Sequence, residues 1–243
     1  MKVIAINSSP NMEKGNTALI LNPFLDGLRE AGAEVNLFYT GNMIIEPCRA
    51  CTEDTSFESG GICLCNDDMN RLYPHFRDAD LWVFASPNYI NGITGSLKNV
   101  LDRLEPLFTS RIEIDGIDKD NFEPKKDGRV VLVSTCDLWG LDNFDQMIDQ
   151  IKAISGLFSR EFAGALLRPH SGAVNAFSDM PDRVNDIFDS AKKAGKEFPN
   201  KRKIDENLQS IVSKTLISKD SFIQEINHFI NSRYEGMYFN RGK

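Results

Sequence analysis

The chain has 243 residues, 41% of them apolar and 26% charged, with a formal net charge of −7. This is an ordinary composition for a globular domain with an appendage, and it leaves no electrostatic case for a nucleic-acid or anionic-membrane partner. No apolar run approaches the roughly 20 residues that span a bilayer. The chain enters a strand directly, so no signal peptide is expected and the expected location is cytoplasmic.

Val3–Ile6 predicts a first strand. It runs into a polar loop, Asn7–Thr17, ahead of a helix over Thr17–Ala31 with Leu19, Ile20, Phe24, Leu25 and Leu28 at helical spacing. Pro23 predicts a kink or a late start to this helix, and Gly32 a C-cap. A loop rich in hydroxyls and amides between a buried strand and a helix start can hold a phosphate, because free backbone N–H groups and the positive end of the helix dipole converge there. The alternative is an ordinary turn with Asn16 or Thr17 as N-cap. The loop has neither the closing Gly-Lys-Ser/Thr of a Walker A loop nor a G-x-G-x-x-G, which leaves a mononucleotide phosphate.

Glu34–Tyr39 predicts a second strand, Asp67–Arg77 a short helix complicated by Pro74, and Leu81–Ala85 a strand buried on both faces. Leu97–Leu107 reads as a helix, Arg129–Ser134 as a fourth strand and Asp142–Ile154 as a helix. Phe162–Leu167 follows as a fifth strand and Asp182–Glu197 as a helix. Five strands separated by helices predict an α/β fold, an open five-stranded parallel sheet with helices on both faces. Such sheets bind ligands at the carboxyl ends of their strands. Beyond about Pro199 the chain turns polar. Asn200–Lys203 reads as a linker, which divides the chain into a domain over 1–198 and a C-terminal helical extension over 199–243. Ser218–Tyr234 predicts an amphipathic helix capped by Ser218, with Phe222, Ile223, Ile226, Phe229 and Ile230 as its apolar stripe. That helix either packs on its own core or serves as an arm for a second subunit. The tail Glu235–Lys243, with Met237, Tyr238 and Phe239, is either disordered or covers a neighbour's site.

Two further loops carry chemistry. Ser86–Gly95, after the third strand, offers glycines that let backbone approach a flat ligand, and Tyr89 offers a stacking face with a polar tip. Its plain alternative is a turn with Tyr89 packed on the adjacent helix. In Ser134–Gly140, after the fourth strand, Thr135 and Asp137 could bond a polar ring edge. Trp139 could cover one face of a ring or be a half-buried surface residue. Cys136 reads as a small buried residue. The other four cysteines form Cys48-x2-Cys51 and Cys63-x-Cys65, and the remaining 225 residues hold only Cys136. Clustered cysteines in the cytoplasm bind metal or do redox chemistry more often than they form disulfides. Four thiolates can hold an iron–sulfur cluster or a tetrahedral zinc, the first pair could be a redox dithiol, or all four could be reduced surface thiols. The polar stretch Thr52–Ile62 could fold back to unite the pairs. His75, His170 and His228 form no constellation, and the carboxylate runs Asp67-Asp68 and Asp118–Asp120 read as helix caps or solvated faces.

Over residues 1–104, the set Ser9-Pro10, Gly15-Asn16-Thr17, Pro47-Cys48-x2-Cys51, Gly61-x-Cys63, Asp67-Asp68-Met69, Ala79-Asp80, Ser86-Pro87-x-Tyr89 and Lys98-x3-Asp102-Arg103 resembles the flavodoxin-like NAD(P)H-dependent FMN reductases, most closely their iron–sulfur flavoprotein branch. The resemblance implies a flavodoxin-like fold and non-covalent FMN. The FMN phosphate would sit on Ser9, Asn11, Asn16 and Thr17. Its ring would rest against Pro87, Asn88, Tyr89, Asn91 and Gly92 on one loop and Thr135, Asp137 and Trp139 on the other. NAD(P)H would be the donor, a quinone, free flavin or similar small oxidant the acceptor, and the assembly a homodimer or homotetramer. The flavin carries the chemistry, so no catalytic side chain is named. Two positions depart from the family pattern. Asn11 stands where an arginine is frequent, with Lys14 as the nearby positive charge. Asp54 stands at the third position of the compact C-x2-C-x2-C motif, with Cys65 as an extra thiol. Two rival expectations remain. One is an electron carrier using FMN plus a [4Fe-4S] cluster on Cys48, Cys51, Cys63 and Cys65, with a ferredoxin-like donor. The other is a non-enzymatic, zinc-stabilised binding module.

Overall fold

The computed structural model describes residues 1–51, 63–107, 127–177 and 180–239, and of 175–176 and 233–239 the backbone only. Its centre is a sheet of β1 (Lys2–Asn7), β2 (Glu34–Tyr39), β3 (Leu81–Pro87), β4 (Arg129–Thr135) and β5 (Glu161–Arg168), in the order β2-β1-β3-β4-β5. Every neighbouring pair is parallel. This is the flavodoxin-like order, whose switch point lies between β1 and β3. The helices are α1 (Asn16–Glu30), α2 (Met69–Asp78), α3 (Gly95–Asp102), α4 (Asp145–Leu157), α5 (Gly172–Ala176), α6 (Pro181–Lys201), α7 (Glu206–Val212) and α8 (Lys219–Phe239).

Alternation along the strands splits the core in two. Val3, Ala5, Val83, Ala85, Val131 and Val133 face one side, closed by α1, α6 and α7. Ile4, Ile6, Trp82, Phe84, Val130 and Leu132 face the other, closed by α2, α3 and α4. β3 and β4 are buried on both faces, as their unbroken apolar runs predict.

Some boundaries differ from the sequence expectation. Pro23 costs α1 one backbone bond, yet the helix runs on because Phe24, Leu25 and Leu28 are buried against the sheet and α6. Gly32 follows it at φ +81°. The helix expected over 97–107 spans only Gly95–Asp102, and a 3-10 turn at Glu105–Leu107 follows, because Pro106 cannot extend an α-helix. The Asn200–Lys203 segment is not a linker throughout: α6 continues to Lys201 and ends at Arg202 in the left-handed region, φ 59°. The 198/199 boundary thus falls inside α6. Past it, Ile204, Leu208, Val212 and Leu216 join the same core as α1 and α6.

α1 and α6 cross with little space between them. A methyl group on Gly27 would overlap the Lys192 carbonyl, and one on Gly195 would overlap the Phe24 carbonyl. α8 is different. Of its stripe, Ile223, Ile226, Phe229 and Ile230 are exposed and Phe222 is half-buried. Among the described residues no helix is long and apolar enough to cross a membrane.

Candidate functional site

The loop leaving β1 folds back on itself. Asn7 Oδ1 accepts the Ser9 N–H at 2.9 Å, the Met12 N–H donates to Ser9 O at 2.9 Å, and the Lys14 N–H donates to Asn11 O at 2.9 Å. Gly15 is the N-cap of α1, and no side chain caps that end. The Ala18 N–H donates to Gly15 O at 2.9 Å, and the positive end of the helix dipole points out of this turn, the arrangement that suits an anion. A Cβ on Gly15 would overlap Ser9 Oγ, so a larger residue here would turn the Ser9 side chain aside. Ser9 and Thr17 are buried, Asn16 is half-buried, and Asn11 and Lys14 are exposed.

Later loops brace this turn. The Thr17 and Thr135 hydroxyls are 3.0 Å apart. Asn16 Nδ2 donates to Ser171 Oγ at 3.0 Å, and Ser171 Oγ donates to Asp137 Oδ1 at 2.6 Å. Asp137 Oδ1 also accepts the Gly172 N–H at 3.1 Å. Thr17, Asn16 and Asp137 are thus engaged within the protein. Ser9, Asn11, Asn16 and Thr17, the residues expected at a phosphate, all lie on this one turn, with Lys14 beside them.

The loops after β3 and β4 form one ledge. The Asn88 N–H donates to Thr135 O at 2.8 Å, Asn88 Nδ2 donates to Asn143 O at 2.6 Å, and Asn143 Nδ2 donates to Gly140 O at 2.8 Å. Among the described residues, Asn88 Oδ1 is a buried acceptor with no hydrogen bond and Asn7 Nδ2 a buried donor with none. Orphaned polar atoms of this kind are what a bound heterocycle satisfies. Beyond half-buried Pro87, Tyr89 and Gly92 close a two-residue turn by reciprocal N–H···O bonds of 2.9 and 3.1 Å. Its central residues, Ile90 at φ 52° and Asn91 at φ 56°, are both left-handed. Tyr89 is half exposed and Ile90 fully so. A β-branched residue held there stores strain.

Trp139 does not stand free. It stacks on His170 with ring centroids 4.8 Å apart and 19° between planes, and lies 5.7 Å from Phe222 of α8. One of its faces is therefore used inside the chain. Buried His170 accepts at Nε2 from Arg168 Nη2 at 2.7 Å and from the Leu216 N–H at 3.3 Å. Burial, with the Arg168 charge adding to it, pulls the His170 pKa down to about 4, so the ring is neutral. Arg168 is itself buried, which lowers its pKa to about 10. Sequence reasoning did not single out Ser171, His170 or the Phe222 contact. None lies in a spaced motif, and only their position beside the β4 loop gives them a role.

The cysteine segment is a separate feature. Cys48 is exposed, Cys51 and Cys63 are half-buried and Cys65 is buried. Among the described residues no three Cys, His, Asp or Glu side chains come together as metal ligands would. Arg49 Nη2 donates to Cys65 Sγ at 3.4 Å. Burial opposes ionisation of Cys63, but the Cys65 N–H, the Tyr73 hydroxyl and Arg103 outweigh it and hold the thiol below its ordinary range. Arg103 is buried and grips Asp67 with two bonds of 2.8 and 3.0 Å. Asp67 also accepts the N–H groups of Glu46 and Met69, and Asp68 that of Ile44, so both aspartates pin the segment after β2. The stretch 52–62, expected to unite the pairs, lies outside the described residues, as does 118–120. Burial pushes the Cys136 thiol up to about 11, which agrees with a packing residue.

The model of the NADPH-dependent FMN reductase family matches residues 1–138, the span that holds the β1 loop and most of the ledge. An iron-sulfur flavoprotein of Methanocaldococcus jannaschii is 33% identical over 107 residues, 44% of this chain and 53% of that protein. One of Archaeoglobus fulgidus is 32% identical over 103 residues, 42% of this chain and 48% of that protein. The match thus spans about half the length of these curated relatives. An FMN-dependent NADH-azoreductase from Bacillus anthracis, solved in complex with FMN, shares the fold with a TM-score of 0.59 at 15% identity, over 82% of this chain and 99% of that one. By the match over more than half its length, the chain belongs to the NADPH-dependent FMN reductase family.

Proposed function

We propose that the protein is an FMN-dependent oxidoreductase that takes electrons from NAD(P)H and passes them to a small planar acceptor such as a quinone or free flavin. The observation that carries this reading is the uncapped start of α1, cradled by Ser9, Asn11 and Gly15 at the switch point and set beside the orphaned polar atoms of Asn7 and Asn88. A flat heterocycle with a phosphate tail fits that arrangement. FMN, when bound, supplies the redox chemistry. The chain's own residues hold and shield it. Backbone N–H groups, Ser9, Asn11 and Lys14 bind the phosphate, while Asn16 and Thr17 brace the loop through Ser171 and Thr135. Pro87, Asn88, Tyr89, Asn91 and Gly92 form one wall and Thr135, Asp137 and Trp139 the other. Asp137 is occupied by Ser171 and Gly172, so it is not assigned a proton. The family's description supports a pyridine-nucleotide donor. By the same resemblance the protein is a homodimer or homotetramer, which light scattering reads directly.

The test is an ultraviolet–visible spectrum of anaerobically purified protein, with elemental analysis of the same sample. Two flavin bands that bleach on adding NADPH are expected. A colourless protein that takes up no added FMN overturns the reading. A second reading, an electron carrier with a cluster on Cys48, Cys51, Cys63 and Cys65, is favoured by the names of the relatives and by the cysteine clustering. It requires iron and sulfide, with broad absorption beneath the flavin bands. Zinc without flavin would instead indicate the binding module.

A further inference from the structure

The family match ends at residue 138, and a later part of the chain reaches the site from outside it. Arg168, at the end of β5, donates to Val212 O at 2.9 Å and to Lys214 O at 2.7 Å. Arg183 donates to Leu216 O at 2.9 Å, and the Leu216 N–H donates to His170. Ser218 then caps α8, its Oγ accepting the Ser221 N–H at 3.1 Å. These bonds fix where α8 begins, and one turn later Phe222 meets Trp139. Along α8, the side chains of 219–232 are exposed except for Phe222, which is half-buried. This ring seats the start of the helix against the β4 loop.

The seat lies on the loop after β4, which carries part of the candidate site. Trp139 belongs to the loop that Asn143 and Asn88 tie to the Tyr89–Gly92 turn. Between them these loops expose Tyr89 (52%), Ile90 (101%), Leu138 (53%) and Leu141 (46%). Exposed apolar side chains on the loops that also carry the orphaned Asn88 Oδ1 suit a flat, weakly polar molecule.

We infer that Phe222, set against Trp139 by α8, is a specificity-determining residue that closes one side of the acceptor pocket and limits the size of the aromatic acceptor admitted. The inference rests on the flavoprotein reading above and adds the C-terminal helix to it. Removing the phenyl ring leaves room for a second fused ring on the acceptor, and enlarging it takes room away.

The experiment uses the full-length, FMN-loaded protein as wild type, Phe222→Ala and Phe222→Trp, with a benzoquinone and a naphthoquinone as acceptors. It reads FMN content, the ratio of kcat/KM for the two quinones and, for wild type and Phe222→Ala, tryptophan emission. Trp82 is buried in the core, so a change in emission reports on Trp139. Phe222→Ala is expected to keep its FMN, shift emission to the red and raise the naphthoquinone-to-benzoquinone ratio about tenfold. Phe222→Trp is expected to lower that ratio. A red shift with an unchanged ratio overturns the inference, because Phe222 then only packs Trp139. An unshifted emission, or loss of FMN from both variants, overturns it as well. Failure of the underlying reading shows earlier and differently: a wild type that takes up no FMN, or that takes it up and reduces neither quinone, brings down both.

Discussion

At Gly15 a single missing carbon leaves the Ser9 hydroxyl its place in the loop. Its backbone is ordinary, φ −83° and ψ 155°, so the constraint is the nearness of Ser9 Oγ. Gly15→Ala forces Ser9 aside and is expected to weaken FMN binding about ten- to a hundredfold, measured by flavin titration. Ile90 has the reverse problem, a β-branched residue in the left-handed region with its side chain in solvent. Ile90→Asn is expected to raise unfolding stability by about 1 kcal/mol, read by urea denaturation. His170 sets an acid limit. Its pKa falls from 6.5 to about 4 on folding, so below pH 6.5 the unfolded chain binds more protons than the folded one. The stability linked to the neutral ring is intact above pH 6.5 and is lost as pH falls toward 4, a loss of about 3 kcal/mol. Denaturation near neutrality and near pH 4 checks this, and His170→Gln is expected to reduce the difference. Ser9, Asn11 and Gly15 are legible in the sequence because strand, loop and helix are contiguous. Ser171 and His170 are not, because their meeting with Asp137 and Trp139 depends on β5 lying beside β4.

At the level of elements, the crossing of α1 and α6 relies on two glycines. Gly195→Ala would drive a methyl group into the Phe24 carbonyl, so the helices must part. The expected cost is about 3 kcal/mol, measured by chemical denaturation. The long elements are legible from the sequence because their apolar positions repeat at the period of a strand or a helix. α5 and α7 are too short to show a period. The end of α6 misleads because polar Asn200 and Lys201 come soon after buried Phe198, and composition alone reads them as a linker. α8 shows the opposite limit: its stripe is plain in the sequence, but only the structure shows that Phe222 of that stripe is seated against the β4 loop.

For the molecule as a whole, the β2-β1-β3-β4-β5 order puts the first strand in the interior of the sheet and the last at its edge. The candidate site is therefore assembled from the loops after β1, β3, β4 and β5, with α8 laid against one of them. The tight crossing of α1 with α6 has a consequence for synthesis. α1 lies within the first 30 residues, but the helix that covers it spans 181–201. While the chain is being made, Leu21, Phe24, Leu25 and Leu28 wait for a cover that arrives late, and exposed surface of this kind invites aggregation. A chain stopped at residue 180 is expected to collect in the insoluble fraction, whereas one stopped at 217, which lacks only α8 and the few residues flanking it, is expected to stay soluble and compact. Comparing the soluble yields of the two checks this. The early half of the chain is thus left exposed until the late half emerges, and synthesis past the helix over 181–201 is a condition for its solubility.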